Sequence, residues 1–178
     1  MTSDVAPPTP PRFCHQCAAP LGMRYVIEEQ RDRLVCSSCG FIHYLNPRVV
    51  ASVLPELDGA DGVRLLLMRR ALAPRRGFWT PPGGFVELGE STEEAALREG
   101  QEEVGLPLEL IGLLGVYSRP AVGIVVVAYR GRALHGEPQP GEEALEARWF
   151  APDAIPWEDL AFETTLRALR DWVAGLRG

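Results

Sequence analysis

Between Gly84 and Leu106 the chain reads GFVELGESTEEAALREGQEEVGL, and this stretch places carboxylates where helix energetics alone would not put them. Ser91, or Thr92 beside it, can cap a helix. Ser91 followed by Glu94 has the form of a capping box, and Gly105 is a natural stop, so the spacing predicts a helix over Thr92 to Val104. Glu93 and Glu94 fall in its first turn, where the helix dipole favours negative charge; Glu102 and Glu103 fall in its last turn, where the dipole opposes it. Glu99, Glu102 and Glu103 are spaced i, i+3, i+4 and share a face, which costs roughly 0.2–0.5 kcal/mol for each like-charged pair. A bound cation reverses that penalty. Carboxylates with no His or Cys beside them suit a hard ion, Mg²⁺ or Mn²⁺, which a few carboxylates and substrate phosphate oxygens normally hold. Taken alone, the helix would also read as a solvated acidic face.

A chain of 178 residues with 46% hydrophobic content supports one good core and a small accessory module. The net charge of -6 excludes a general nucleic-acid binder, because no basic stripe is available to neutralise a run of phosphates, and leaves small phosphorylated substrates open. No apolar run approaches the roughly 20 residues that span a bilayer. Met1 to Pro11 also lacks the apolar core of a secretory signal. The expectation is a cytoplasmic protein with no membrane partner.

Residues 1–12 are rich in proline and poor in large apolar side chains, which predicts a disordered tail. Cys14 and Cys17, then Cys36 and Cys39, form two CxxC pairs at a separation in the range of zinc ribbons, so residues 13–45 are read as a ribbon holding structural Zn²⁺. Two disulfides are the alternative, and a reducing cytosol disfavours them. Four thiolates fill every coordination position, so this zinc holds the module together without doing chemistry, and His15 and His43 are surplus. Met23 to Gln30 and Arg31 to Val35 suit a hairpin, and Phe41 and Tyr44 are expected to cover the metal cluster. Asn46-Pro47 marks the hand-over to a second module over residues 46–178.

In that module Val49–Leu57 and Val63–Arg69 read as a hairpin turned at Asp58–Gly62, with Leu65-Leu66-Leu67 buried on both faces. Trp79 reads as core, ahead of a tight Pro81-Pro82-Gly83-Gly84 course that lets backbone approach a metal or phosphate. Arg69, Arg70, Arg75 and Arg76 either screen phosphates or are solvated loop charges. Leu110–Tyr117 and Gly123–Tyr129 are further strands. Gly136–Gly141 is a loop expected to border the substrate. Leu160, Leu166, Leu169, Trp172, Val173 and Leu176 recur at helical spacing and predict an amphipathic helix on the sheet.

From Gly84 the order runs through Glu90, Arg98-Glu99, Gln101, Glu102-Glu103-Val104-Gly105-Leu106, preceded by Trp79-Thr80-Pro81-Pro82-Gly83. This resembles the signature box of the Nudix hydrolases. One position departs: the family has a large aliphatic residue where this chain has Gly100, a poor helix former costing about 1 kcal/mol against Ala. The resemblance implies an α/β/α sandwich with a mixed sheet. It implies Glu99, Glu102 and Glu103 as metal-holding catalytic residues, with a carbonyl at Gly83 or Gly84 completing the metal shell. Arg98, held by two-pronged contacts to Glu90, then orients Glu99. Acidic residues before Trp149-Phe150 also look like the family's loop carboxylate, and the sequence leaves open which of Glu142, Glu143 and Glu146 reaches the site.

The implied activity is Mg²⁺-dependent hydrolysis of a nucleoside diphosphate linked to X, giving a nucleoside monophosphate and phosphorylated X. A ribbon before the box also resembles NADH pyrophosphatases. Their Ser-Gln-Pro-Trp-Pro-Phe-Pro stretch is replaced here by Tyr117-Ser118-Arg119-Pro120. Tyr44-Leu45-Asn46-Pro47, Gly77-Phe78-Trp79 and Asp153-Ala154-Ile155-Pro156 are closer to the plant-type FAD pyrophosphatases and their bacterial relatives. Pro120 lies near the place where some ADP-ribose hydrolases carry a proline. A module that senses a nucleotide without hydrolysing it is the rival reading, and a homodimer is left open.

Overall fold

The computed structural model describes residues 9–176. It divides into two compact units, one whose described part is residues 9–47 and one whose described part begins at Arg48. The expected disordered tail falls largely on residues 1–8, outside the described residues. Its end is tied down, because the Arg12 carbonyl accepts the Leu21 N–H at 3.0 Å.

The smaller unit is an antiparallel sheet of β1 (Leu21–Val26), β2 (Arg31–Cys36) and β3 (Ile42–His43), in that order. The β1–β2 connection is a 3₁₀ turn, Ile27–Glu29, closed by Gln30 in the left-handed region at φ 53°. Cys14 and Cys36 are buried, and Cys17 and Cys39 are exposed. Phe41 meets the His15 ring edge-on at 4.6 Å. Tyr44 corrects the sequence expectation: it is exposed, its hydroxyl donates to Glu29 at 2.7 Å, and the Arg33 guanidinium lies over its ring. An aromatic residue at that place is recruited by a local ion pair, not by the sulfurs.

The larger unit is built on β4 (Arg48–Gly59), β5 (Gly62–Arg70), β8 (Leu108–Arg119), β9 (Ile124–Ala133) and β10 (Ala144–Phe150), in the order β10-β5-β4-β9-β8. The sheet is mixed, since β4 and β9 run parallel and the other neighbours antiparallel. Two helices, α1 (Thr92–Val104) and α2 (Glu163–Gly175), cover opposite faces. Strand periodicity sorts β5 between them: Leu65 and Leu67 pack with Leu169 and Trp172 of α2, while Leu66 and Met68 pack with Val104 and Leu106 at the end of α1. All four strand side chains have no exposed surface, and burial of each contributes roughly 1.5–3 kcal/mol.

β4 and β5 pair only at the hairpin end, from Glu56–Leu65 to Gly59–Gly62. Beyond it they part, and the gap is filled by β6 (Trp79–Thr80) on β5 and β7 (Gly83–Phe85) on β4. Pro55 sits where β4 changes partner, between the Val53 N–H bond to the Pro82 carbonyl and the first β5 pair, so its missing donor costs no ladder bond. This inserted segment carries Gly83 and Gly84 to α1.

Two contacts fasten α2. The Glu56 carboxylate, 6% exposed, accepts two bonds from Arg130 at 2.6 and 2.9 Å and one from the Trp172 indole at 2.8 Å. The Tyr117 hydroxyl donates to Asp171 at 2.8 Å. Leu160 stands before the helix as core, and Leu176 is partly exposed after it, so the predicted stripe is shorter at both ends. Among the described residues no helix is long and apolar enough to cross a membrane.

Candidate active site

The capping box forms as its spacing predicts. The Glu94 N–H donates to Ser91 Oγ at 3.2 Å, the Ser91 N–H donates to Glu94 Oε2 at 2.7 Å, and Gly105 ends α1 at φ 65°. Gly100 is buried, and a Cβ there would come within 2.6 Å of the Leu108 side chain and 3.1 Å of Val53. The strand neighbour therefore fills the space that a larger helix residue would take, and the helix remains continuous.

Arg98 is the centre of the charged cluster. Its Nε and one terminal nitrogen donate to the two Glu90 oxygens at 3.1 and 2.8 Å, and its other terminal nitrogen donates to Glu99 at 2.8 Å and to Glu102 at 3.1 Å. Glu90 is itself held by the Glu87 N–H at 2.7 Å. Arg98, followed by that N–H, keeps the Glu90 carboxyl below its ordinary range.

Glu103 is 4% exposed, and its Oε2 accepts the Gly83 N–H at 2.7 Å. Burial pushes its carboxyl up to about 8, against one opposing hydrogen bond from Gly83. Glu99 is shifted upward as well, again chiefly by burial. Gly84 faces Glu99 so closely that a Cβ would overlap the carboxylate.

Glu99, Glu103, Gly83 and Gly84 line a cavity of about 530 Å³. The structure thus brings Glu99, Glu103 and Gly84 together. Glu102 is not on the cavity wall; its side chain is 60% exposed and rests against Arg98. Glu90 and Arg98 stand behind Glu99. Of the three candidate glutamates, Glu143 lines the cavity and Glu142 does not, whereas Glu146, on β10, faces Arg69 and Arg148. The loop at 136–141 corrects another expectation. It contributes nothing to the wall; the Gln139 and Gly141 N–H groups instead donate to the Val104 and Glu103 carbonyls, closing the end of α1. Glycine and proline content marks a loop without saying what it faces.

Sequence reasoning did not single out Arg48, Phe85, Arg119 and Phe162, which also line the cavity. They come from four separate places in the chain, and no local spacing joins them.

In the smaller unit the sulfurs of Cys14, Cys17, Cys36 and Cys39 all lie within 4.8 Å of one another. Three of their separations are 3.4, 3.5 and 3.8 Å. A tetrahedral Zn²⁺ with Zn–S near 2.3 Å sets sulfurs about 3.8 Å apart, so the donor set fits that ion. Backbone N–H groups of Cys39 and Ser38 point at Cys36 Sγ and hold its thiol down to about 6, which favours the thiolate a metal needs. Among the described residues this is the group of three or more ligand side chains drawn together in that way, and the α1 glutamates are not gathered so tightly.

Residues 46–173 match the family model described as the NUDIX domain, and residues 12–45 match the one described as Nudix N-terminal, a zinc ribbon. The chain belongs to the NUDIX hydrolase family, whose members generally use a divalent metal ion and act on small nucleotide substrates. It is 34% identical over 136 residues to an ADP-ribose pyrophosphatase of Methanocaldococcus jannaschii, covering 74% of this chain and 78% of that one. It is 32% identical over 148 residues to the NAD-capped RNA hydrolase NudC of Pseudomonas aeruginosa, covering 82% of this chain and 49% of the relative, so it spans about half of that protein. A NUDIX hydrolase from Nitrosomonas europaea superposes with a TM-score of 0.85 at 36% identity, covering 93% of this chain and 92% of the other.

Proposed function

We propose that the chain is a Mg²⁺-dependent pyrophosphatase that cleaves the diphosphate of ADP-ribose, FAD or a related adenine dinucleotide, releasing AMP and phosphorylated X. The observation that carries this reading is the meeting of Glu99 and Glu103 with the Gly83-Gly84 backbone on one wall of the cavity. The donors there are hard oxygens, and among the described residues the nearly buried Glu103 has one hydrogen-bond donor and no cation in ion-pair contact, which suits Mg²⁺ or Mn²⁺ held by Glu99 and Glu103. When bound, such an ion supplies positive charge to the bridging phosphates and lowers the pKa of water, the two needs of phosphoryl transfer.

The chain's own residues do the rest. Arg98, clamped on Glu90, fixes the Glu99 carboxylate and steadies Glu102. Gly83 and Gly84 keep the backbone close and Glu103 aimed inward. Glu143, on the same wall, is the candidate to take the proton from the attacking water. The name of the Methanocaldococcus jannaschii relative favours ADP-ribose. The NAD-capped RNA activity named for the Pseudomonas aeruginosa relative fits less well with a chain of net charge -6.

A product-resolved panel of ADP-ribose, FAD and NADH, with and without Mg²⁺, tests the proposal. The expected result is Mg²⁺-dependent AMP release with NADH not the best substrate. Binding without hydrolysis of any member would establish the sensing module instead.

A further inference from the structure

Three features of the cavity that holds Glu99 and Glu103 gather positive charge without a carboxylate in ion-pair contact, although the charge of Arg70 acts on Glu103. Arg70, at the end of β5, and Arg119, at the end of β8, both place their guanidinium groups over the ring of Phe162, at 5.3 and 5.5 Å from its centroid. The side chain of Arg70 donates to the Pro74 carbonyl at 2.9 Å. Among the described residues, neither guanidinium has a carboxylate partner, and that of Arg119 makes no hydrogen bond; Arg33, Arg98, Arg130 and Arg148 are all ion-paired. Two like charges sharing one ring repel, and cation–π contact returns only about 0.5–2 kcal/mol each.

Phe162 is also the N-cap of α2, where a Ser, Thr, Asp or Asn would ordinarily accept a first-turn N–H. Phenylalanine cannot, and among the described residues no side chain caps this helix, so its first-turn N–H groups and the positive end of its dipole add to the same site. Glu163 in that first turn is exposed and pairs with neither arginine. Phe162, Arg70, Arg119 and Thr164 all line the cavity that holds Glu99 and Glu103.

We infer that Arg70, Arg119 and the uncapped start of α2 form an oxyanion subsite that grips a phosphate group of the substrate, with Phe162 as the platform that aligns the two guanidinium forks. Planar forks match phosphate oxygens, and exposed helix N–H groups do the same. This rests on the proposed reading of the cavity as a nucleotide site and adds a second recognition element to it. The gripped group is either the bridging diphosphate or a further phosphate on the nucleotide.

Calorimetric titration with no divalent ion added separates binding from turnover. The probes are inorganic pyrophosphate, ADP-ribose, and ADP-ribose phosphorylated at the adenosine 2′-hydroxyl. Arg119→Gln is expected to weaken ADP-ribose or its 2′-phosphorylated form at least about tenfold, Arg119→Lys less, and Arg132→Gln, an exposed control pairing with Glu109, not at all. Equal losses for the two nucleotides assign the subsite to the diphosphate; a loss greater for the 2′-phosphorylated form assigns it to the extra phosphate. Unchanged affinity of folded Arg119→Gln for all three probes overturns the inference. If that variant does not fold, Phe162→Leu, which removes only the platform, is read by the same criterion. Arg119-dependent pyrophosphate binding in a protein that hydrolyses no dinucleotide would refute the proposed activity and leave the subsite standing.

Discussion

Glu103→Gln is expected to make the cation-free protein more stable while removing its activity. Glu103 is 4% exposed, and burial raises its carboxyl from 4.5 to about 8. Between those values the folded chain keeps a proton that the unfolded chain gives up. The stability linked to Glu103 is therefore full below pH 4.5 and is lost as pH rises toward 8. Each unit is worth about 1.4 kcal/mol, so the cation-free fold carries a penalty of up to about 5 kcal/mol by pH 8. Glutamine escapes it, since the amide is neutral at every pH and its oxygen still accepts the Gly83 N–H. At roughly 2–4 °C per kcal/mol for a chain of this size, even half the penalty raises Tm by about 5 °C or more. Differential scanning calorimetry at pH 5 and pH 8, without and with Mg²⁺, reads this directly. The variant should exceed wild type at pH 8 and match it near pH 5, Mg²⁺ should stabilise wild type alone, and turnover should fall at least about a hundredfold. An offset in Tm that is the same at both pH values, or equal stabilisation of both proteins by Mg²⁺, would refute the argument.

Gly84→Ala puts a methyl group into the Glu99 carboxylate, and kinetics should show turnover reduced at least about tenfold with the fold retained by circular dichroism. Glu56→Ala leaves Arg130 and the buried Trp172 indole without their acceptor; urea unfolding should report a loss of about 3–5 kcal/mol, with KM unchanged because Glu56 is not on the cavity wall. Wild-type protein purified under reducing conditions should contain one zinc per chain by mass spectrometry, and Cys36→Ser should lose it together with the dispersed NMR signals of β1 to β3; zinc-free wild type with an intact hairpin would sink this expectation.

The parts readable from sequence are those whose cause is local. Ser91, Glu94 and Gly105 set both ends of α1 through bonds spanning three or four residues, and the two CxxC pairs bring their own ligand geometry. Leu65-Leu66-Leu67 reads as a strand buried on both sides because no polar alternation breaks it. The cavity wall is another matter. Arg48, Phe85, Arg119 and Phe162 line one cavity only because β4, β7, β8 and the start of α2 converge, and nothing near Arg119 in the sequence distinguishes it from a solvated arginine. Tyr44 shows the converse: a residue read as a lid on the sulfurs is diverted by Glu29 and Arg33, fifteen and eleven positions earlier.

The contact between Gly100 and Leu108 shows that a family position can be satisfied from outside itself. The box usually supplies a bulky aliphatic group from the helix; here a leucine at the start of β8 reaches across to occupy that volume, and the helix gives way by carrying no side chain. The shared quantity is the filled space between α1 and the sheet, not the residue that fills it. Substitutions at 100 and 108 are therefore coupled. Enlarging Gly100 alone overpacks the site and trimming Leu108 alone hollows it, whereas the paired exchange restores the volume from the opposite side.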